Sequence, residues 1–136
     1  MRQRLRGERG AAAVEFAFIM PLLIVLVLGI AEFGRAFQVQ GTLSAAAREG
    51  VRVMALQNDQ AAAKTAVWKA STSLKPTIGA GDIQIKLVDG TAGTCPAINA
   101  GNTSIGLTIT YRMPFLTDFF GSGITLTGKG VMRCNG

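Results

Sequence analysis

The chain has no histidine, and only two cysteines, one tryptophan, one tyrosine and four prolines are spread over its 136 residues. Without histidine, both the commonest metal-ligating side chain and the base that titrates nearest neutrality are missing. Cys95 and Cys134 lie far apart in sequence, so they form no local thiol cluster. No glycine-rich turn joins a strand to a helix, and no carboxylate pair stands out beyond the first third of the chain. A metal centre or nucleophilic triad has no obvious material to be built from. The expectation is a protein that is not an enzyme and holds no cofactor and no metal.

Charge is also scarce, at 16% of residues, and it is unevenly placed. The formal net charge is +6, but Arg2, Arg4, Arg6 and Arg9 all precede the first apolar run. Removing those four of the fourteen basic residues, and Glu8 from the eight acidic ones, leaves a net of +3. No basic stripe interleaved with aromatics is present, which argues against a nucleic-acid partner.

What the sequence does have is a long apolar run. No residue from Phe16 to Ala31 is charged, and counting back through the alanines to Ala11 gives roughly 20 residues, the length a helix needs to cross a hydrocarbon core. Short basic flanks stay on the cytoplasmic side of a membrane. The arginines therefore place the N-terminus inside and everything after about residue 35 outside. Both cysteines fall in the outer part, where a disulfide can persist. Paired, they would close a loop of about 38 residues and contribute ~4 kcal/mol by the chain-entropy estimate; unpaired, they would pack as small hydrophobes. The chain divides into a basic leader at 1–10, a membrane helix at 11–33, an extracytoplasmic helical segment at 34–75 and a small β-domain at 76–136.

Beyond the apolar run, Ala36, Val39, Leu43, Ala47, Gly50 or Val51, and Met54 recur at spacings of three and four, predicting that one helix continues out of the membrane to about Leu56. Gly34, Gly41, Ala45 to Ala47 and Gly50 set small residues along it. They allow close approach either of a sibling helix or of the chain's own domain. Asn58 and Asp59 resemble an N-cap for a second helix with Ala63, Val67, Ala70 and Leu74 on one face, ended by Pro76. Trp68 falls off that face, exposed or packed against the sheet.

From Asp82 the period becomes two. "DIQIKLV" alternates Ile83, Ile85 and Leu87 with polar residues, "SIGLTITYRM" repeats the pattern through Ile105, Leu107, Ile109 and Tyr111, and "GITLTGKGVMRC" is a third, less regular strand. The loop "PFLTDFFGSG" carries Phe115, Phe119 and Phe120, which either cap the sheet or form a contact surface; capping is the simpler role.

One residue of the apolar run is unexplained. Glu15 lies within its start, and a carboxylate well inside lipid costs about 2.5 to 3.5 kcal/mol on insertion scales. A cut between Gly10 and Ala11 would create a charged amine at a helix N-terminus, where the macrodipole is already positive. Glu15 is four residues beyond Ala11, on the same helical face. It can offset that amine in its own chain or accept the amine of a neighbouring subunit.

A short basic leader ending in glycine, followed by an apolar segment with glutamate fifth and phenylalanine sixth, as in "RG" then "AAAVEF", resembles the processing site of type IV prepilins and pseudopilins. Gly7 would put Ala12 fifth, so Gly10 fits and Gly7 does not. The stretch "GAAAVEFAFIMPLLIVLVLGIAEFGRAF", with "AAREGVR" after it, is similar to the TadE-like proteins of the tight adherence (type IVc) pilus, and "LTITYRMPF" and "GITLTGKGVMR" are weakly similar to their C-terminal parts. One departure is the end "MRCNG", where a cysteine follows the arginine in place of an expected acidic residue.

The resemblance implies an α+β, type IV pilin-like fold: a long N-terminal transmembrane and amphipathic helix, a short second helix and a small antiparallel sheet of about three strands. It implies a pseudopilin or minor pilin, cleaved by a prepilin peptidase after Gly10 and needed to assemble an adhesive pilus. Ala11 would be the mature N-terminus, Glu15 with Phe16 the assembly element, and Pro21 a kink or point of local melting in the membrane helix. The implied partners are the peptidase, sibling pilins (TadF-like and the major pilin) in a homo- or hetero-oligomeric filament, an inner-membrane platform and a secretion ATPase. The implied location is the bacterial inner membrane, single-pass, with the C-terminal domain extracytoplasmic, or the pilus itself. Two alternatives remain open at this stage. One is a main filament subunit. The other is a membrane-anchored or secreted domain, for which Gly29-Ile30-Ala31 offers a signal-peptidase pattern.

Overall fold

The computed structural model describes the backbone of residues 4–91, 93–97 and 102–134, with side chains from Gly10 onward. The elements are α1 (Arg4–Gln57), α2 (Gln60–Ala70), β1 (Ile83–Leu87), β2 (Ser104–Met113) and β3 (Ile124–Arg133). This is the α+β layout expected: one long helix, one short helix and a three-stranded antiparallel sheet in the order β1-β2-β3. The chain forms two compact units, residues 1–35 and Ala36–Gly136.

Within the second unit, α1 buries the stripe that the spacing predicts. Val39, Leu43, Ala47, Val51 and Met54 are buried, together with Ala46, Gly50 and Ala55. Against them lie the inward residues of the sheet, Ile83 from β1 and Ile105, Leu107, Ile109, Tyr111 and Met113 from β2, all buried in the same core. The register follows from the alternation, since Ile83 faces Ile109, Ile85 faces Leu107 and Leu87 faces Ile105. A slip of one residue would turn each of these side chains toward solvent.

The irregularity of the third strand has a packing cause. Gly128 and Gly130 occupy the inward positions paired with Ile109 and Leu107. A Cβ on Gly128 would stand 2.5 Å from the Leu43 carbonyl oxygen, and one on Gly130 would stand 2.6 Å from that of Ala47. The α1 backbone lies against β3 at distances only glycine admits, so the apolar alternation is broken where the contact is tightest. Gly50 plays the reciprocal part on the helix, where a Cβ would meet Val67 of α2 at 2.5 Å and Leu107 of β2 at 2.7 Å.

The helix corner divides its labour between two residues. Asp59 is the N-cap of α2, its carboxylate accepting from the amides of Ala61 at 2.8 Å and Ala62 at 3.2 Å. Asn58 does something else: it closes α1 in the left-handed region at φ 51°, a conformation asparagine tolerates. Its amide nitrogen donates to the Cys95 carbonyl at 3.0 Å, and its amide oxygen accepts the Cys95 N–H at 2.7 Å. Gln60 adds a bond to the Gly93 carbonyl at 2.8 Å. On α2 the buried residues are Ala63 and Val67 and Ala70 is exposed, while Ser71 and Leu74, just beyond the helix, are buried as well. The helix ends at Ala70, four residues before the Leu74 that the apolar spacing includes, and at its C-cap the Ser71 hydroxyl donates to the Val67 carbonyl at 2.8 Å. Trp68 is partly exposed and donates its indole N–H to the Ile78 carbonyl at 3.0 Å.

Cys95 and Cys134 are joined by a disulfide. It links the loop held by Asn58 to the end of β3, where the Cys134 amide also donates to Thr103 at 2.9 Å. The separation of 39 residues gives ~4 kcal/mol of chain-entropy stabilisation, large for a unit this small.

Candidate functional site

The residues singled out by sequence lie on the first part of α1. Gly10, Ala11, Glu15 and Phe16 are all exposed and helical. Among the described residues, nothing from elsewhere in the chain stands within 4 Å of a Cβ at Gly10. The bond between Gly10 and Ala11 lies inside a helix, and glycine weakens that turn by roughly 0.5–1 kcal/mol relative to alanine.

The Glu15 carboxylate has no hydrogen bond or ion pair within the chain among the described residues. An i, i+4 relation to Ala11 sets the two on one helical face, about one turn apart. Amine and carboxylate would thus be neighbours only if Ala11 carried a free amine; in the uncut chain its nitrogen is a peptide N–H. Glu32, at the far end of the apolar run, contrasts with it, being 4% exposed. Its burial was not legible from the sequence, where the two acids look alike.

Pro21 lies within α1, which runs through it. Having no N–H, it leaves the Ala17 carbonyl without its usual intrahelical donor. Around it Phe18, Leu22, Leu23, Ile24, Leu26 and Val27 are exposed. The helix is long and apolar enough to cross a membrane, and none of its most apolar window is buried within the chain. Side chains of this kind, contiguous and bare along a helix, are compatible with a membrane anchor.

The small residues of α1 fall into two sets. Ala46, Ala47 and Gly50 are buried in the chain's own core, whereas Gly34, Gly41 and Ala45 are exposed, with nothing within 4 Å of a Cβ at either glycine. Elsewhere in the second unit an open groove runs between α1 and α2, lined by Glu49, Val53, Ala62, Ala66, Lys69 and Ala70 among others. Among the described residues no three His, Cys, Asp or Glu side chains converge. The Asp89 carboxyl is held below its ordinary range by hydrogen bonds from the Thr91 hydroxyl and amide, in an exposed turn.

Residues 10–52 match the family model described as TadE-like protein. The match starts at the glycine before the proposed cut and ends inside the buried stripe of α1. No curated protein and no solved structure matches the chain.

Proposed function

We propose that this chain is a TadE-like pseudopilin or minor pilin, processed after Gly10 by a prepilin peptidase and used in assembling an adhesive pilus of the tight adherence type. The observation that carries the reading is the joint position of Gly10, Ala11 and Glu15 at the head of a bare apolar helix, within the segment that matches the TadE-like model. Peptidase, sibling pilins, inner-membrane platform and secretion ATPase are the partners this role requires, and it requires no catalytic group of the chain's own.

In this account the membrane helix stores the subunit in the bilayer with its folded unit outside. Cleavage frees the Ala11 amine, and Glu15 neutralises it, either within the subunit or across to the next one. A carboxylate in lipid is unfavourable alone, and so is an amine at the positive end of a helix; together they are tolerated. The disulfide and the glycine-mediated helix–sheet contact keep the outer unit intact while the helix changes surroundings.

The reading is tested by two substitutions in the native host. Gly10→Leu should leave the full-length precursor in the membrane. Glu15→Leu should still insert and be cleaved, and should give few or no pili by electron microscopy of sheared fibres. Normal pilus numbers with Glu15→Leu would refute the role given to that carboxylate.

A further inference from the structure

The loop between β2 and β3 has more apolar surface than capping the sheet requires. Phe115 does that work, packing against the core. Leu116, Phe119, Phe120 and Ile124 remain exposed, at 65%, 66%, 40% and 40%. Phe119 and Phe120 touch edge to face with ring centres 5.4 Å apart, on a single turn at Asp118–Phe120. They form a cluster on a hairpin tip, which differs from the isolated apolar residues found on most surfaces.

The position of the tip follows from how β3 runs along α1. Gly130 lies against Ala47, Gly128 against Leu43, and Gln40 donates to the Thr127 carbonyl at 2.9 Å. Each step of two residues back along β3 matches about four residues back along α1, since a strand rises ~3.4 Å and a helix ~1.5 Å per residue. The start of β3 at Ile124 is thus level with about the first turn of the second unit. The loop lies at the end where α1 enters at Ala36, and the disulfide lies at the other.

We infer that Leu116, Phe119 and Phe120 form an interfacial anchor that inserts into the lipid headgroup region on the extracytoplasmic side. The inference rests on the membrane reading of the first part of α1. The chemistry suits that zone: Phe and Leu side chains bury at the boundary between headgroups and acyl chains, and a cation beside them can meet phosphate. That cation is Arg112, exposed at the base of the loop and steered toward it by a 2.9 Å bond from its guanidinium to the Ser122 hydroxyl. Docked in this way, the outer unit is held at two points, by the helix and by the loop, and both must be released when the subunit leaves the bilayer.

The test uses the full chain in vesicles of phosphatidylethanolamine and phosphatidylglycerol containing lipids brominated at shallow or deep acyl positions. Trp68→Phe removes the native indole, and single tryptophans are then introduced as Leu22→Trp, Phe119→Trp and Val88→Trp. Leu22→Trp should be quenched most by deep bromine and Phe119→Trp most by shallow bromine. Val88→Trp, beyond β1 at the opposite end of the sheet, should be unquenched. If Leu22→Trp is quenched and Phe119→Trp is not, the anchor is refuted and the membrane helix stands; blue-shifted but unquenched Phe119→Trp emission would show the loop against protein and refute it equally. If Leu22→Trp is itself unquenched, the membrane reading fails and the anchor falls with it.

Discussion

Leu26 and Leu56 sit on the same helix and are equally exposed, at 57% and 55%, yet their surroundings differ. Leu26 is one of an unbroken series with Leu22, Leu23, Ile24 and Val27, with no charged residue between Phe16 and Ala31. Leu56 stands on a stretch where Arg48, Glu49 and Arg52 are also exposed and the opposite stripe is buried in a core. An isolated exposed leucine is ordinary in water, whereas a contiguous sleeve of apolar side chains is not. On the membrane reading proposed above, one helix serves two solvents, and the change falls near Arg35, where the two compact units divide.

The sharpest way to break this comparison is to place one charge in each half. Leu26→Arg should cost about 2.5–3.5 kcal/mol of insertion and shift much of the protein into the carbonate-extractable fraction. Leu56→Arg should change stability by less than about 0.5 kcal/mol. Equal, small effects at both sites would mean that both halves face water.

Leu43→Ala should lower the urea stability of the outer unit by about 2–5 kcal/mol in detergent-solubilised full-length protein, whereas Leu22→Ala should leave that transition unchanged. Replacing both cysteines with alanine should cost ~4 kcal/mol in the same measurement. Asn58→Gly keeps the left-handed backbone but removes both bonds to Cys95, and should cost about 1–3 kcal/mol. The smallest effect is expected at the exposed pair Glu49–Arg52, 3.7 Å apart. Glu49→Gln should shift stability by no more than about 0.5 kcal/mol.

Where a single periodicity governed packing, the fold was legible in the sequence. The α1 stripe from Val39 to Met54 and the inward residues of β1 and β2 lie where three-and-four and alternate spacing put them. It was less legible where one backbone touches another. Nothing in "GITLTGKGVMR" announces that Gly128 and Gly130 face inward, because glycine contributes no hydrophobic signal. Asn58 looked like a cap and instead clamps a loop 37 residues away, a pairing that local sequence does not encode. Ser71 was obscured by Ala70, since an alanine at apolar spacing outweighs a serine whose hydroxyl is satisfied on the last turn of the helix it caps. The phenylalanine loop was half readable: Phe115 caps the sheet as expected, while the exposure of Phe119 and Phe120 depends on a turn geometry that composition does not fix. Gly10, Ala11 and Glu15 were picked out by spacing together with resemblance, and they lie exposed on the first part of α1, where their proposed chemistry needs no tertiary contact.

The central claim is that Glu15 exists to partner an amine created by cleavage. The most direct measurement is the intact mass and N-terminal sequence of the protein recovered from its native membrane. The account predicts a chain beginning at Ala11. A chain beginning at Met1, or at Glu32 after signal-peptidase cleavage, would contradict it, since in neither case does a free amine ever stand beside Glu15.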